Sequence, residues 1–169
     1  YLAGERPNTI DARGERETLT GFLDWYRTTL ELKCAGLTPE QLAQRAVPPS
    51  RLSLLGLLRH IAGVEGWWFR IWAGEQYRPR WHDDDPPSRD FEFGAPTQHL
   101  VDDTFAYWRT EIEHVREIVA VHELDEQRIA GDGNSVTLRW LLVHMIEEYA
   151  RHCGHADLLR ENVDGGTGY

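Results

Sequence analysis

The stretch SLLGLLRHIAGVEGWWFRIWAG, residues 53 to 74, limits the possible folds more than any other part of the chain. It contains no proline and is apolar around most of a helical circumference. A helix that is apolar on nearly every side needs neighbours on nearly every side, so this one belongs inside a helical bundle. Ser53 is a suitable N-cap and Gly74 a suitable C-terminal stop. Gly56, Gly63 and Gly66 lie within it, each about 1 kcal/mol less favourable than alanine in a helix. Close approach of a neighbouring helix or a ligand would account for them. His60 interrupts the apolar run, and a buried histidine needs a polar partner.

Three further long helices are expected around it. The first runs from about Arg16 to Ala35, with Leu19, Phe22, Leu23, Tyr26, Leu30 and Cys34 on one stripe at three- and four-residue spacings. LTPEQLAQRA then opens a short helix, with Thr38 as N-cap, Pro39 in the first turn and Gln41 completing a capping box. The third long helix runs from about Thr97 to Val121, its stripe supplied by Leu100, Phe105, Trp108, Ile112, Val115 and Val119. The fourth runs from about Thr137 to Asn162. Residues 125 to 136 suit a turn or small hairpin, and no longer stretch alternates as strands do. Residues 75 to 96 are too many for a bundle turn and read as either a packed functional loop or a partly disordered one. The expected fold is an all-α four-helix bundle, with residues 1–169 as one domain.

Composition narrows the partners. Eighteen basic residues against 28 acidic ones give a net charge of −10, which disfavours a phosphate-binding surface and hence nucleic acid. There is no unbroken apolar run of about 18 residues to span a membrane, and the start shows no signal-peptide pattern. Two cysteines make no disulfide framework, so a cytoplasmic location is expected.

The candidate chemistry lies in HMIEEYARHCGHADLLRE, residues 144 to 161. Four-residue steps return to nearly the same helical face, so His144, Glu148 and His152 stack on one stripe, with His155 one turn beyond. Side chains at i and i+4 can share one cation. If the second and fourth long helices pack side by side, His60 can face Glu148 and His152. Two imidazoles and one carboxylate would then leave positions open for water or substrate. The same spacing also suits a solvated face or a hydrogen-bonded core network, and the residues alone leave both readings open.

At these residues the chain resembles the DinB-like superfamily of four-helix-bundle proteins, some of them mycothiol-dependent enzymes. LLRHIAGVEGWWF matches that family's histidine in the second helix, and EEYARHCGH its pair in the last helix. Glutamate at the first position of the pair resembles the branch containing mycothiol-dependent maleylpyruvate isomerase. TLRWLLVHMIEEYARHCGHADLLRENVDG resembles an actinobacterial subgroup. The resemblance implies a divalent metal on His60, Glu148 and His152, zinc first, with nickel and iron(II) suiting the same donors. It also implies a crossover in the long connection between the second and third helices, and a homodimer. The activity implied is thiol transfer or isomerisation, the metal activating a low-molecular-weight thiol such as mycothiol toward a small electrophile. Non-catalytic metal binding, metal-dependent hydrolysis and a purely structural bundle are the alternatives.

Other residues carry expectations of their own. His155 is a candidate general acid or an orienting partner for a ligand. Arg139 and Arg151 are candidates to grip a carboxylate of the thiol cofactor or substrate, with pairing to the acidic excess as the alternative. His144 reads as a partner of a ligand or a core residue, Cys153 as a buried small hydrophobe, and Gly154 as a site of close helix packing. Glu65 reads as solvated, with a carboxylate supporting a ligand of the site as the alternative. Trp67, Trp68, Trp72 and Trp81 read as one cluster, either core packing or a dimer interface, with a pocket wall as the alternative. His82, His99, His114 and His122 read as surface residues, and DDD at 83 to 85 and GDGNS at 131 to 135 as loops.

Overall fold

Thr38, Ser53, Thr97 and Thr137 each stand just before a helix on extended backbone, and each side-chain oxygen accepts the amide three residues on. These caps set four of the five helix starts in the computed structural model, which describes residues 13–81 and 89–168. The helices are α1 (Glu15–Cys34), α2 (Pro39–Ala43), α3 (Leu54–Trp72), α4 (Gln98–Val121) and α5 (Leu138–Asp164). The capping box at Thr38 and Gln41 forms as expected. Gly165, in the left-handed region at φ 77°, ends α5. Between α4 and α5, β1 (Gln127–Ile129) pairs antiparallel with β2 (Ser135–Thr137), in the register Arg128 opposite Val136.

The bundle is built from two parallel helix pairs. Arg139 pairs with Glu15 near the starts of α5 and α1, and Lys33 with Asp157 (2.6 Å) near their ends, so α1 and α5 run the same way. Arg70 pairs with Glu111 (2.7 Å), and the ring of Trp72 meets that of His122 just past the end of α4. Residue numbers rise together there, so α3 and α4 are also parallel. Between α3 and α5 they run oppositely: His60 meets His152, and Trp68 meets His144.

Parallel neighbours cannot be joined by a short turn. The chain leaving α3 must return the helix length, about 28 Å, before α4 can start. The α3–α4 connection makes that crossover, and its described residues, 73–81 and 89–97, meet α3 at three glycines. Tyr77 sits on Gly66, Pro79 on Gly63 and Phe91 on Gly56. A Cβ on Gly63 would stand 3.1 Å from Pro79, and one on Gly66 would stand 2.6 Å from Glu111 as well as striking Tyr77. The glycines of α3 therefore admit the crossover connection, and Gly66 also admits Glu111 of the neighbouring helix α4, as one of the expected readings had it.

α3 is the centre, as its apolar circumference required. Leu55, Leu58, Ile61 and Phe69 are fully buried, against Leu30 of α1, Trp108 and Ile112 of α4, and Leu141, Met145 and Tyr149 of α5. Glu65 is also fully buried, which corrects the expectation of a solvated residue. It accepts hydrogen bonds from Arg27 and from the Tyr149 hydroxyl (2.6 Å), which itself accepts from the Trp108 indole (2.8 Å). Glu65 lies five residues beyond His60, which turns it into the core, where Arg27 supplies a counter-charge. No described helix is long and apolar enough to cross a membrane.

Candidate metal centre

The rotation of two helices places the centre. Met145, Tyr149, Cys153 and Ala156 form the buried stripe of α5. Glu148, His152 and His155 each precede one of these residues, so they sit roughly 100° around the helix from it. On α3, the buried Leu57, Leu58 and Ile61 leave His60 at the edge of the core. The two edges meet. The rings of His60 and His152 stand 4.9 Å apart at 68°. One donor atom from each of His60, Glu148 and His152 lies within 4.8 Å of the others. Among the described residues this is the one cluster of three or more His, Cys, Asp or Glu donors so placed.

The donor set suits a divalent cation, and the surroundings prepare it. Asp90 Oδ2 lies 3.1 Å from His60 Nδ1, so a proton on Nδ1 is held by the carboxylate and Nε2 is left for a ligand. His155 Nδ1 lies 3.3 Å from His152 Nδ1, on the ring edge away from Nε2, and Nε2 is 3.5 Å from Glu148 Oε2. Burial, reinforced by electrostatic interaction with His60, His155 and Arg151, pushes His152 down to about 4. Its imidazole is then neutral at physiological pH, the form that ligates metals. The side chains of His60, Glu148 and His152 keep 28%, 19% and 12% of their exposure, so the cluster is shielded but reachable.

Asp90 is the residue that sequence reasoning missed. It lies 30 positions from His60 and no periodicity links them. The one available hint was the glycine-bearing face of α3, which required something to lie flat on it. Nothing in the sequence showed which part of the 75–96 segment would do so.

Other candidates fall elsewhere. Arg139 pairs with Glu15 and Asp125, and Arg151 with Glu147 on the exposed face of α5. His144 stacks on Trp140 (4.9 Å, 17°) and meets Trp68 edge-on (4.6 Å), one turn from Glu148. Cys153 is buried, as expected, its thiol 3.6 Å from the Tyr26 carbonyl. A Cβ on Gly154 would meet nothing within 4 Å, so no helix packs there. The tryptophans do not form one cluster. Trp67 and Trp68 join Trp140, Trp72 is buried in the core, and Trp81 packs on Tyr107 and Arg59. His114 and His122 are partly buried and paired with Glu75 (2.7 Å) and Glu126 (2.8 Å), because each faces an acid of a neighbouring segment. His99 is exposed. Asp132 binds the amide of Asn134, an ordinary turn. His82 and residues 83 to 85 lie outside the described residues.

One comparison with known proteins bears on this geometry. The family model for mycothiol-S-transferase matches residues 18–165, a span that includes His60, Glu148 and His152. No curated protein matches the chain.

Proposed function

The chain belongs to the mycothiol-S-transferase family, and from that premise we propose that it transfers the sulfur of mycothiol to a small electrophile with the help of a divalent cation. His60, Glu148 and His152 would hold the cation, zinc first, with nickel and iron(II) compatible with the same donors. When bound, it supplies Lewis acidity that lowers the pKa of a coordinated thiol, so that the thiolate is present at neutral pH. The observation that carries the reading is this donor cluster, in the seam between α3 and α5, within a chain of this family.

The protein's own groups then have defined tasks. Two neutral imidazoles and one carboxylate offset one of the cation's two positive charges, and the remainder favours an anionic sulfur. Asp90 fixes the tautomer and angle of His60, and His155 does the same for His152. The Nε2 of His155 is outside its contact with His152, and we assign it the proton leaving the thiol. Arg139 and Arg151 can meet a carboxylate of the cofactor or substrate only by giving up Glu15 and Asp125, or Glu147. Arg151 is the readier of the two, because an exposed i,i+4 pair is worth only about 0.3–0.5 kcal/mol. The family resemblance adds a homodimer and a cytoplasmic site of action.

Elemental analysis of protein purified without a histidine tag tests the first half of the proposal. Near-stoichiometric metal, lost in His60→Ala, is expected. Failure to take up zinc, nickel or iron(II) would remove the cation from the mechanism. Electrophile consumption tests the second half. Turnover should require added mycothiol, and equal turnover in water alone would make the protein a hydrolase.

A further inference from the structure

The seam that holds the donor cluster continues past it. Along α5, Trp140, His144, Glu148 and His152 follow at four-residue steps, so His144 lies about 6 Å and Trp140 about 12 Å from Glu148 along the axis. On α3, Trp68 lies two turns beyond His60, also about 12 Å. The two stripes close on each other there: Trp68 is 4.6 Å from the His144 ring and 5.7 Å from the Trp140 ring, and His144 lies flat on Trp140. One end of the seam is thus polar and ligating, and the other is a shelf of π-faces.

The shelf differs from the core aromatics in two ways. Trp140 is 43% exposed, whereas Trp72 and Trp108 are buried. The indole N–H groups of Trp72 and Trp108 are satisfied, by the Val136 carbonyl (2.9 Å) and the Tyr149 hydroxyl (2.8 Å). Those of Trp68 and Trp140 have no acceptor among the described residues. An accessible π-face with a free N–H suits a flat molecule carrying acceptor oxygens.

We infer that Trp68, Trp140 and His144 form the subsite for the electrophile, and that the preferred electrophile is a planar, aromatic one with acceptor substituents. The inference rests on the thiol-transfer reading for the identity of the reaction, though not for the existence of the subsite. Sulfur held at the ligating end meets the reacting ring carbon, while the rest of the ring and its acceptor substituents extend along the seam over His144 toward the indoles. With 1-chloro-2,4-dinitrobenzene as probe, the thiolate sulfur forms a C–S bond at the chlorine-bearing ring carbon. The C–Cl bond breaks, chloride leaves with the bonding pair, and the thiol proton, taken first by His155, passes on to solvent.

Binding is tested without thiol or turnover. Titration of 15N-labelled protein with unreactive 1,3-dinitrobenzene should shift the indole N–H signals of Trp68 and Trp140, assigned from Trp68→Phe and Trp140→Phe spectra. Shifts confined to other tryptophans, or no shifts, would overturn the subsite whatever the reaction proves to be. Signals of Trp68 and Trp140 that move on simple dilution would assign the shelf to a contact between copies, and would overturn it too. In turnover, the kcat/KM ratio of 1-chloro-2,4-dinitrobenzene to 2-chloroacetamide should fall roughly three- to tenfold in Trp140→Ala, the worth of one ring contact, and recover in Trp140→Phe. An unchanged ratio would refute the preference for aromatic electrophiles. Loss of all thiol transfer with binding intact would instead refute the reading on which it rests.

Discussion

Replacing Asp90 by alanine removes a carboxylate that lies 3.1 Å from His60 Nδ1 and leaves all three proposed cation ligands in place. His60 then loses the group that holds its tautomer and ring angle. Partners of this kind typically contribute about 10- to 100-fold to metal affinity, or roughly 1.4–2.7 kcal/mol. The effect carries into stability by mass action. Metal at about 100 times the wild-type Kd stabilises the fold by about 2.7 kcal/mol, and a 10- or 100-fold weaker site leaves about 1.4 or 0.4 kcal/mol. At about 2–4 °C per kcal/mol for a domain of this size, a metal-induced rise in Tm of roughly 5–11 °C shrinks to about 3–6 °C or 1–2 °C. Competition with a chromophoric chelator gives the affinity, and thermal melts with and without zinc give the shift. His60→Ala serves as the limit, with no metal-dependent shift. If Asp90→Ala binds zinc within a factor of about two of wild type, the carboxylate does not position His60, and the role assigned to it fails.

Three other perturbations test the fold that carries the site. Gly56→Ala drives a methyl into the Phe91 ring and should destabilise by about 1–3 kcal/mol, whereas Gly154→Ala meets open space and should stabilise by about 0.4–1 kcal/mol; urea melts of the pair read the contrast. Glu65→Ala leaves the buried Arg27 guanidinium with only the partly exposed Asp24 as counter-charge, at a cost of about 3 kcal/mol, while Tyr149→Phe should lose only about 1–2 kcal/mol, both measurable by denaturant titration. Burial pushes the Cys34 thiol from 9.0 up to about 12, so an aromatic disulfide reagent should label it only after unfolding. The folded state keeps that proton longer than the unfolded state. The associated stability is therefore complete below about pH 9 and declines as pH rises toward 12, which melts across the alkaline range would show.

The sequence by itself determined the local architecture and most of the donor cluster. Caps at Thr38, Ser53, Thr97 and Thr137 and apolar stripes at helical spacing are short-range signals, and the helices form within a few residues of where those signals lie. The spacing of Glu148 and His152 puts both on one helical face whatever surrounds them, and the lone histidine of α3 was legible by contrast with its apolar neighbours. Tertiary structure decided what those residues meet. Two parallel helix pairs force the α3–α4 connection to return the length of α3, and its described end brings Asp90 to His60 and Phe91 to Gly56. The orientation of α3 buries Glu65 against Arg27, and the lie of α1 beside α5 engages Arg139 with Glu15. Periodicity records which face a residue occupies on its own helix. It carries no record of the residue brought opposite by a long connection, so Asp90 became visible only once the path of the chain was known.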